Sequence, residues 1–138
     1  YKYRRLSVNY EIEEKVLDYP LMKFICQPLV ENALKHGFAN KIDECVLWIM
    51  IGKREENLSI RIKDNGKGIE FDLLFELQNK IKFLRENKKI EINDYIGVLN
   101  TAQRVFLQYG KNSLFQIASE LEKGTEIEIV IPIRNGGN

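Results

Sequence analysis

Two pairs of alternating apolar and polar stretches constrain the fold of this chain more than any other feature. The first pair joins the apolar run 46–52 to a stretch in which Leu58, Ile60 and Ile62 interleave with polar residues. The second pair lies on either side of a predicted turn at 122–124 and contains the apolar residues Phe115, Ile117, Ile127, Ile129, Ile131 and Ile133. Such alternation is typical of strands with one buried face and one face in water, so both pairs are predicted β-hairpins.

The sequence between the two predicted hairpins contains two helical patterns. One apolar stripe contains Leu73 or Leu74, Leu77, Ile81 and Leu84, and a second contains Tyr95, Leu99, Ala102, Phe106 and Tyr109. Another half-buried strand is predicted at 6–12, with the apolar residues Leu6, Val8, Tyr10 and Ile12. The predicted architecture is therefore a two-layer α/β sandwich, with helices on one face of a mostly antiparallel sheet and a mobile loop at 85–93.

The composition is that of an ordinary soluble domain. The chain has 138 residues, of which 44% are hydrophobic and 30% charged, enough for one domain with its own core. Lys and Arg number 21 against 20 Asp and Glu, so the net charge of +1 argues against broad binding to nucleic acid or anionic lipid. The longest apolar run falls far short of the ~20 residues that span a bilayer. Cys26 and Cys45 lack metal-ligand spacing and are predicted to be buried hydrophobes.

The stretch 24–37, FICQPLVENALKHG, predicts a further helix that ends at Gly37. Its apolar face comprises Ile25, Leu29, Val30, Ala33 and Leu34, and its opposite side carries Glu31, Asn32, Lys35 and His36. Pro28 is predicted to kink this helix or to divide it near Phe24. The crowded polar side suits a cleft that holds a charged ligand and a metal. A solvated helix face is the alternative, and this stretch alone does not decide between them.

A second polar motif follows the first predicted hairpin directly, where Asp64 and Asn65 precede Gly66 and Gly68. A carboxylate at a strand end, beside glycine backbone that a flat ligand can approach, suits binding of an exocyclic amine such as that of adenine. The alternative is a plain turn, because Asp, Asn and Gly are all favoured in turns. The motif is neither a G-x-x-x-x-G-K-[ST] phosphate loop nor a G-x-G-x-x-G fingerprint.

Two more glycine motifs occur farther along the chain. Gly97 opens the last predicted helix, whose first-turn amides could receive a phosphate. Gly124 and Thr125 lie in the final predicted hairpin, where a tight turn alone would explain them.

Taken in order, these four motifs resemble the ATP-binding domain of the GHKL superfamily, which includes gyrase, heat-shock chaperone, histidine kinase and mismatch-repair ATPases. The segment QPLVENALKHG at 27–37 is similar to the N-box of LytS/YesM-type sensor histidine kinases. The segment GTEIEI at 124–129, before Pro132, is similar to the terminal strand of the same family. The resemblance covers roughly residues 6–133 and implies a Bergerat-type sandwich, with 1–138 a single catalytic domain from a longer protein.

For the polar helix, the resemblance implies contacts with the phosphates of ATP. Asn32 would coordinate the Mg²⁺ that bridges those phosphates, and a neutral amide oxygen is a plausible ligand for this metal. Lys35 and His36 would lie near the phosphates. Glu31 is a candidate proton acceptor, although its place next to Asn32 in the sequence points it elsewhere on the helix. The catalytic residues expected from the resemblance are thus Asn32, Lys35 and Glu31.

For the other motifs, the resemblance implies contacts with the base and with a lid. Asp64 would bind the adenine amino group, and Thr125 would lie near the base below it. The backbone that closes around the base would come from Gly66, Gly68 and Ile69. The end of the ATP lid would be formed by Gly97, Val98, Leu99 and Asn100.

The chain departs from the family pattern at two positions before its last predicted helix. The family usually has G-x-G-L-x-N there, whereas this chain has Tyr95 in place of the first glycine and Val98 in place of the leucine. His36 is the only histidine and belongs to the N-box, so the chain shows no phosphoacceptor of its own.

The resemblance therefore implies the ATP–Mg²⁺-binding catalytic domain of a two-component sensor histidine kinase. The γ-phosphoryl group would pass to a histidine on an upstream dimerisation helix absent from this chain, and a response regulator would act downstream. The longer protein is expected to be a homodimeric sensor of the inner or plasma membrane, with this domain in the cytoplasm and attached to the membrane only through upstream segments. The alternatives are a stand-alone GHKL ATPase or serine kinase, and a degenerate protein-binding module without nucleotide.

Overall fold

The computed structural model describes residues 6–13, 21–39 and 44–132. Its strands are β1 (Leu6–Ile12), β2 (Cys45–Arg54), β3 (Asn57–Asp64), β4 (Leu114–Glu120) and β5 (Gly124–Pro132). Its helices are α1 (Leu21–Asn32), α2 (Phe71–Arg85) and α3 (Ile96–Tyr109), and a π-helical turn (Ala33–Gly37) continues α1. None of the helices in these ranges combines the length and the apolar character needed to cross a membrane.

The strands form one sheet in the order β1-β2-β3-β5-β4. β1 runs parallel to β2, and the other neighbouring pairs are antiparallel. A tight turn at Glu55 and Glu56 joins β2 to β3, and Glu55 adopts a positive φ of 57° there. Both predicted hairpins are confirmed, and the sheet is mixed but mostly antiparallel.

Residues that pair across the central strands form apolar rows on the buried face of the sheet. One row comprises Ile49, Ile62, Ile127 and Ile117, and the next comprises Ile51, Ile60, Ile129 and Phe115. A shift of one residue in the strand pairing would expose these side chains to water, so their burial selects the register. On the opposite face the Arg61 Nε donates a hydrogen bond to the Glu126 carboxylate, and the Nζ of Lys63 lies 5.5 Å from the ring of Trp48. That face meets water, as predicted.

The helices pack in one layer over the apolar rows. α1 contacts α3, α3 contacts α2, and α2 also contacts β4. Their buried apolar side chains include Ile25, Leu29, Leu77, Ile81, Leu84, Val98, Leu99, Ala102, Val105 and Phe106. Cys45 is buried in the same core, as predicted, whereas Cys26 is only partly buried against it, and burial raises the pKa of the Cys26 thiol to about 11. The predicted two-layer α/β sandwich is confirmed.

The polar helix differs from its prediction in two respects. α1 runs through position 24 and Pro28 without a division, so of the two predicted effects of Pro28, a kink or a division near Phe24, the division does not occur. Beyond Asn32 the backbone widens into the π-helical turn, in which the Phe38 N–H donates to the Ala33 carbonyl at 2.9 Å. The extra residue in this turn shifts the side-chain register. Leu34, predicted on the apolar face, is 45% exposed for this reason.

Two other predictions are corrected by the position of an element, and a third, the loop, is confirmed from residue 86 onward. Leu6 and Tyr10 were predicted on the buried face of β1, but they are 49% and 65% exposed because β1 is an edge strand. Tyr95 was predicted within the last helix, but it precedes α3 as a left-handed cap. The loop predicted at 85–93 starts after α2, and its Ile90 and Ile92 pack against the core. Ile133 of the second predicted hairpin lies outside the described residues.

Candidate functional site

The next row across the buried face of the sheet is polar. Asp64 ends β3 and pairs with Thr125 on β5, which in turn pairs with Ser119 on β4. We call Asp64, Thr125 and Ser119 the polar row. Its hydroxyls contact each other at 2.9 Å, and the Ser119 hydroxyl also lies 2.8 Å from the Gly124 carbonyl. The same alternation that buries the isoleucines therefore places three hydrogen-bonding side chains together at one end of the core.

The backbone holds the carboxylate of Asp64 in place. Its Oδ1 accepts hydrogen bonds from the Gly66 N–H at 2.8 Å and from the Thr125 N–H at 3.3 Å. Only 4% of the residue is exposed. Burial raises the pKa of Asp64, because it penalises the charged form, and the two backbone hydrogen bonds oppose that shift.

Glycines allow several backbone segments to meet around Asp64. A side chain at Gly66 would place Cβ 2.1 Å from the Gly37 carbonyl oxygen, and one at Gly124 would place it 2.0 Å from the Asp64 carbonyl oxygen. At Gly68, Cβ would lie 2.1 Å from the Glu120 carbonyl oxygen, and the backbone φ is +75°. Cβ atoms essentially never approach other atoms so closely. The D-N-G-x-G motif is thus a packed junction between the π-helical turn and the β4–β5 turn, and the plain-turn alternative does not account for these contacts.

A cavity of about 200 Å³ lies between α1 and the segment that leads into α3. Its walls carry Glu31, Asn32, Lys35 and His36 from one side, and Asn93, Asp94, Tyr95 and Gly97 from the other. All four polar residues singled out in the helix sequence therefore line one cavity. Asn32 is 9% exposed, whereas Glu31 and Lys35 are exposed. The helix face is part of a cleft rather than a plain solvated surface.

Two aromatic rings stack on each other in the wall of this cavity. The imidazole of His36 and the ring of Tyr95 have centroids 4.3 Å apart and planes inclined by 23°. Burial lowers the pKa of His36, and the charges of Lys35 and Lys67 lower it further, against a smaller opposing effect of Asp94. Burial raises the pKa of the Tyr95 hydroxyl, and the charges of Asp94 and Asp64 add to this shift. Asp64 does not itself line the cavity, although its charge reaches Tyr95.

The other predicted site residues occupy two kinds of position. The side chains of Ile69, Val98 and Leu99 lie in the core, so only their backbone could face a ligand. The Ile69 N–H is already used, because it donates to the Ser119 hydroxyl at 2.8 Å. Asn100 is exposed, and Gly97 lines the cavity next to Pro28 of α1.

Sequence reasoning missed three residues of the site. Ser119 connects Ile69, Gly124 and Thr125 through its hydroxyl. Its position directly opposite Thr125 across the predicted hairpin was a signal that could have found it. Asn93 and Asp94 line the cavity, but they precede α3 in a polar stretch that carries no distinguishing pattern.

Oxygen donors in the cavity fit a magnesium ion. The amide oxygen of Asn32 and the carboxylate of Glu31 belong to the same wall, and Mg²⁺ prefers oxygen ligands while keeping several waters. Among the described residues, no group of three or more His, Cys, Asp or Glu side chains could hold a metal by itself. This donor set suits a metal that is shared with a phosphate ligand.

The fold is similar to those of solved histidine kinases. The histidine kinase domain from the Erythrobacter litoralis EL346 blue-light activated histidine kinase aligns with 93% of this chain and 55% of that chain, with a TM-score of 0.65 and 17% identity. Histidine kinase ThkA, in its complex with response regulator protein TrrA, aligns with 94% of this chain and 34% of that chain. Its TM-score is 0.63 and its identity 14%. At these identities the similarity establishes the fold.

Sequence relatives and a family model agree with the fold. Sensor protein LytS of Bacillus cereus is 33% identical over 132 residues, which cover 96% of this chain and 21% of LytS. Sensor histidine kinase YesM of Bacillus subtilis is 30% identical over 131 residues, which cover 95% of this chain and 20% of YesM. The chain thus spans about a fifth of the length of these curated relatives. The model of the histidine kinase-, DNA gyrase B-, and HSP90-like ATPases matches residues 18–135. The chain therefore belongs to this family of ATPases, and its relatives include LytS and YesM sensor proteins.

Proposed function

We propose that residues 1–138 form a single ATP-binding domain, the catalytic domain of a two-component sensor histidine kinase. The observation that carries this proposal is the buried carboxylate of Asp64, held by the backbone of Gly66 and Thr125 in a chain of this ATPase family. Such a carboxylate accepts hydrogen bonds, so its partner is a donor such as the exocyclic amine of adenine. The glycine junction around it supports a fixed position for this carboxylate, because Gly66 and Gly124 let neighbouring backbone pack closely against the strand end.

The cavity beside α1 would take the phosphates. Asn32 would hold Mg²⁺ through its amide oxygen, and Lys35 would supply positive charge to the phosphate oxygens. Glu31 lines the same cavity and is the candidate proton acceptor, while Gly97 and the first turn of α3 face it from the other side. When bound, Mg²⁺ would neutralise the charge that develops on the transferred phosphoryl group. The chain's own residues contribute position and charge.

The acceptor of the phosphoryl group would be a histidine outside this chain. His36, the only histidine present, is stacked on Tyr95 in the cavity wall and thus belongs to the binding site. An upstream dimerisation helix of the same homodimeric protein would supply the acceptor, and a response regulator would receive the group from it. The names of the sensor relatives and of the ThkA complex with the response regulator protein TrrA support a sensor kinase that acts with a response regulator. The longer protein would be a membrane sensor with this domain in the cytoplasm.

Calorimetric titration with a non-hydrolysable ATP analogue tests the proposal. The chain should bind the analogue, more tightly with Mg²⁺, and should discriminate against GTP. Asp64→Asn should weaken binding about 10- to 100-fold, because it replaces a hydrogen bond to a charged acceptor and presents an amide donor to the amine. Asp72→Asn, on the exposed first turn of α2, is the matched control and should bind like the wild type.

Other outcomes would favour the alternative functions. Unchanged affinity in Asp64→Asn would remove the adenine contact from the proposal. Hydrolysis of ATP, or phosphorylation of a protein serine, by this chain alone would favour a stand-alone ATPase or serine kinase. Absence of any nucleotide binding would favour a degenerate protein-binding module, which the occupation of the cavity wall by Tyr95 keeps in view.

A further inference from the structure

Tyr95 has an unfavourable backbone conformation immediately before α3. Its φ of 56° and ψ of 44° lie in the left-handed region, where a Cβ atom crowds the following carbonyl and glycine is preferred. A bulky residue persists in this region only when its surroundings hold it there.

The contacts that hold Tyr95 are those of its ring. The residue is 7% exposed, and its ring stacks on the His36 imidazole at 4.3 Å between centroids. No side-chain hydrogen bond caps the start of α3 at this position. Burial and stacking of the ring thus offset the cost of the left-handed backbone.

The Tyr95 ring packs on the π-helical turn that a base bound by Asp64 would also approach. The Asp64 carboxylate lies against the Gly37 backbone, since a Cβ added there would be 3.0 Å from Oδ2, and Gly37 directly follows His36. The Tyr95 ring stacks on this His36, and the charge of Asp64 helps to raise the pKa of the Tyr95 hydroxyl. A flat aromatic ring with a polar edge is also a chemical approximation of a base. Asp64 itself is 4% exposed and does not line the cavity.

We propose that Tyr95 is an internal plug, whose ring stands where the base of a bound nucleotide would lie and must leave before that base can enter. The proposal rests on the proposed function, and it adds regulation to the same site. Departure of the ring couples to the backbone, because a change of φ at Tyr95 to a negative value relieves the left-handed strain and swings the ring out of the cavity. The first residues of α3 and the preceding Asn93 and Asp94 would move with it.

Proton NMR tests the plug without any nucleotide. His36 is the only histidine, so its imidazole proton signals are unique in the spectrum. In the free wild-type protein these protons should show nuclear Overhauser effects to the Tyr95 ring. Tyr95→Asn, which removes the ring but suits a left-handed backbone, should shift the His36 signals, whereas Tyr95→Phe should retain the stack. Absence of the Tyr95 contacts in the free protein would overturn the proposal.

Addition of an ATP analogue with Mg²⁺ to the wild type tests displacement. The Overhauser effects between His36 and Tyr95 should disappear as the site fills. Their persistence in the saturated complex would show that base and ring do not compete, and this would overturn the plug while leaving nucleotide binding intact. The measurement needs no variant and therefore does not depend on a substituted protein folding.

Nucleotide affinity gives the second test. A plug lowers the apparent affinity by the fraction of open molecules, so Tyr95→Asn should bind the analogue about 3- to 10-fold more tightly than wild type. Tyr95→Phe should bind like wild type, as should Tyr10→Asn, in which an exposed tyrosine is removed from β1. Equal or weaker binding by Tyr95→Asn would overturn the plug alone. Absence of binding in wild type and Tyr95→Asn alike would overturn the proposed function and the plug with it.

Discussion

The two walls of the site are held by different kinds of interaction. On the Asp64 side, the polar row is part of the sheet, and glycines bring three backbone segments together at van der Waals distance. On the Tyr95 side, a segment without regular secondary structure contains one residue with a strained backbone. The ring of this residue, Tyr95, stacks on His36. The Asp64 side is therefore preorganised by the fold, whereas the Tyr95 side depends on the conformation of a single side chain.

This contrast matches the two tasks of the nucleotide site that we propose. Recognition of a base requires an acceptor whose position does not change, and the strand register fixes the position of Asp64. Entry and release of a ligand require a part that can move, and in our proposal the left-handed Tyr95 before α3 is that part. The same 5-stranded sheet supports both walls. The polar row belongs to the sheet, and α1 and α3, which flank Tyr95, contact each other and the sheet.

Gly66→Ala should damage the Asp64 side most. The added methyl group would lie 2.1 Å from the Gly37 carbonyl oxygen, and backbone cannot yield as a flexible side chain would. We expect the free energy of unfolding to fall by about 3 kcal/mol, together with loss of nucleotide binding. Urea unfolding followed by circular dichroism would measure the change.

Gly97→Ala on the Tyr95 side is the matched control for stability. Its methyl group would lie 3.4 Å from the Pro28 carbonyl oxygen, which is an ordinary contact, and the residue is already helical in α3. The substitution should stabilise the fold by about 0.5 to 1 kcal/mol, because alanine loses less chain entropy than glycine. Equal destabilisation by the two substitutions would refute the difference between the walls.

Ser119→Ala should have the next largest effect. It removes the acceptor of the Ile69 N–H and one side of the contact with Thr125. Loss of about 2 kcal/mol in the free energy of unfolding is expected, since a polar group in the core loses its partner. Ser113→Ala is the control: its hydroxyl donates only to the Tyr109 carbonyl at 3.2 Å, so about 1 kcal/mol or less should be lost. A larger loss for Ser113 than for Ser119 would contradict the importance of the polar row.

The smallest effect is expected in the pH dependence of stability. Burial raises the pKa of Asp64 above its ordinary value of 3.8, so the folded state binds this proton more tightly than the unfolded state. The contribution of Asp64 to stability is therefore complete below about pH 3.8 and is lost as the pH rises through the raised pKa. Relative to Asp64→Asn, the wild type should lose stability over that range in thermal melts. A gain of wild-type stability with rising pH would show that the hydrogen bonds outweigh burial.

Much of the fold was predictable because local pattern and tertiary burial agree. The rows that pair Ile62 with Ile127 and Ile60 with Ile129 follow directly from period-two alternation in the sequence. Asp64 and Thr125 were predictable as well, since they continue the alternation of β3 and β5 by one more step. Ser119 was missed because its role appears only when β4 is placed in register beside β5.

The residues that were placed wrongly lie where tertiary contacts override local pattern. Leu34 follows the helical stripe, but the π-helical turn moves it into water. Leu6 and Tyr10 alternate as in a half-buried strand, yet β1 lies at the sheet edge. Strand order and helix geometry depend on distant packing, and a short window of sequence contains neither.

The sequence by itself determined the sheet, the helical layer and the chemical groups of the site, because hydrophobic periodicity selects which faces leave water. It also determined that glycine stands at 66, 68 and 124, where the chain crosses itself most closely. Only the tertiary structure decided which of these groups meet. The register across three strands assembles the polar row, and the packing of α3 on α1 places Tyr95 on His36. The polar row and the Tyr95–His36 stack each join residues that are far apart in the chain. Such residues meet only when burial of the shared core brings their elements together.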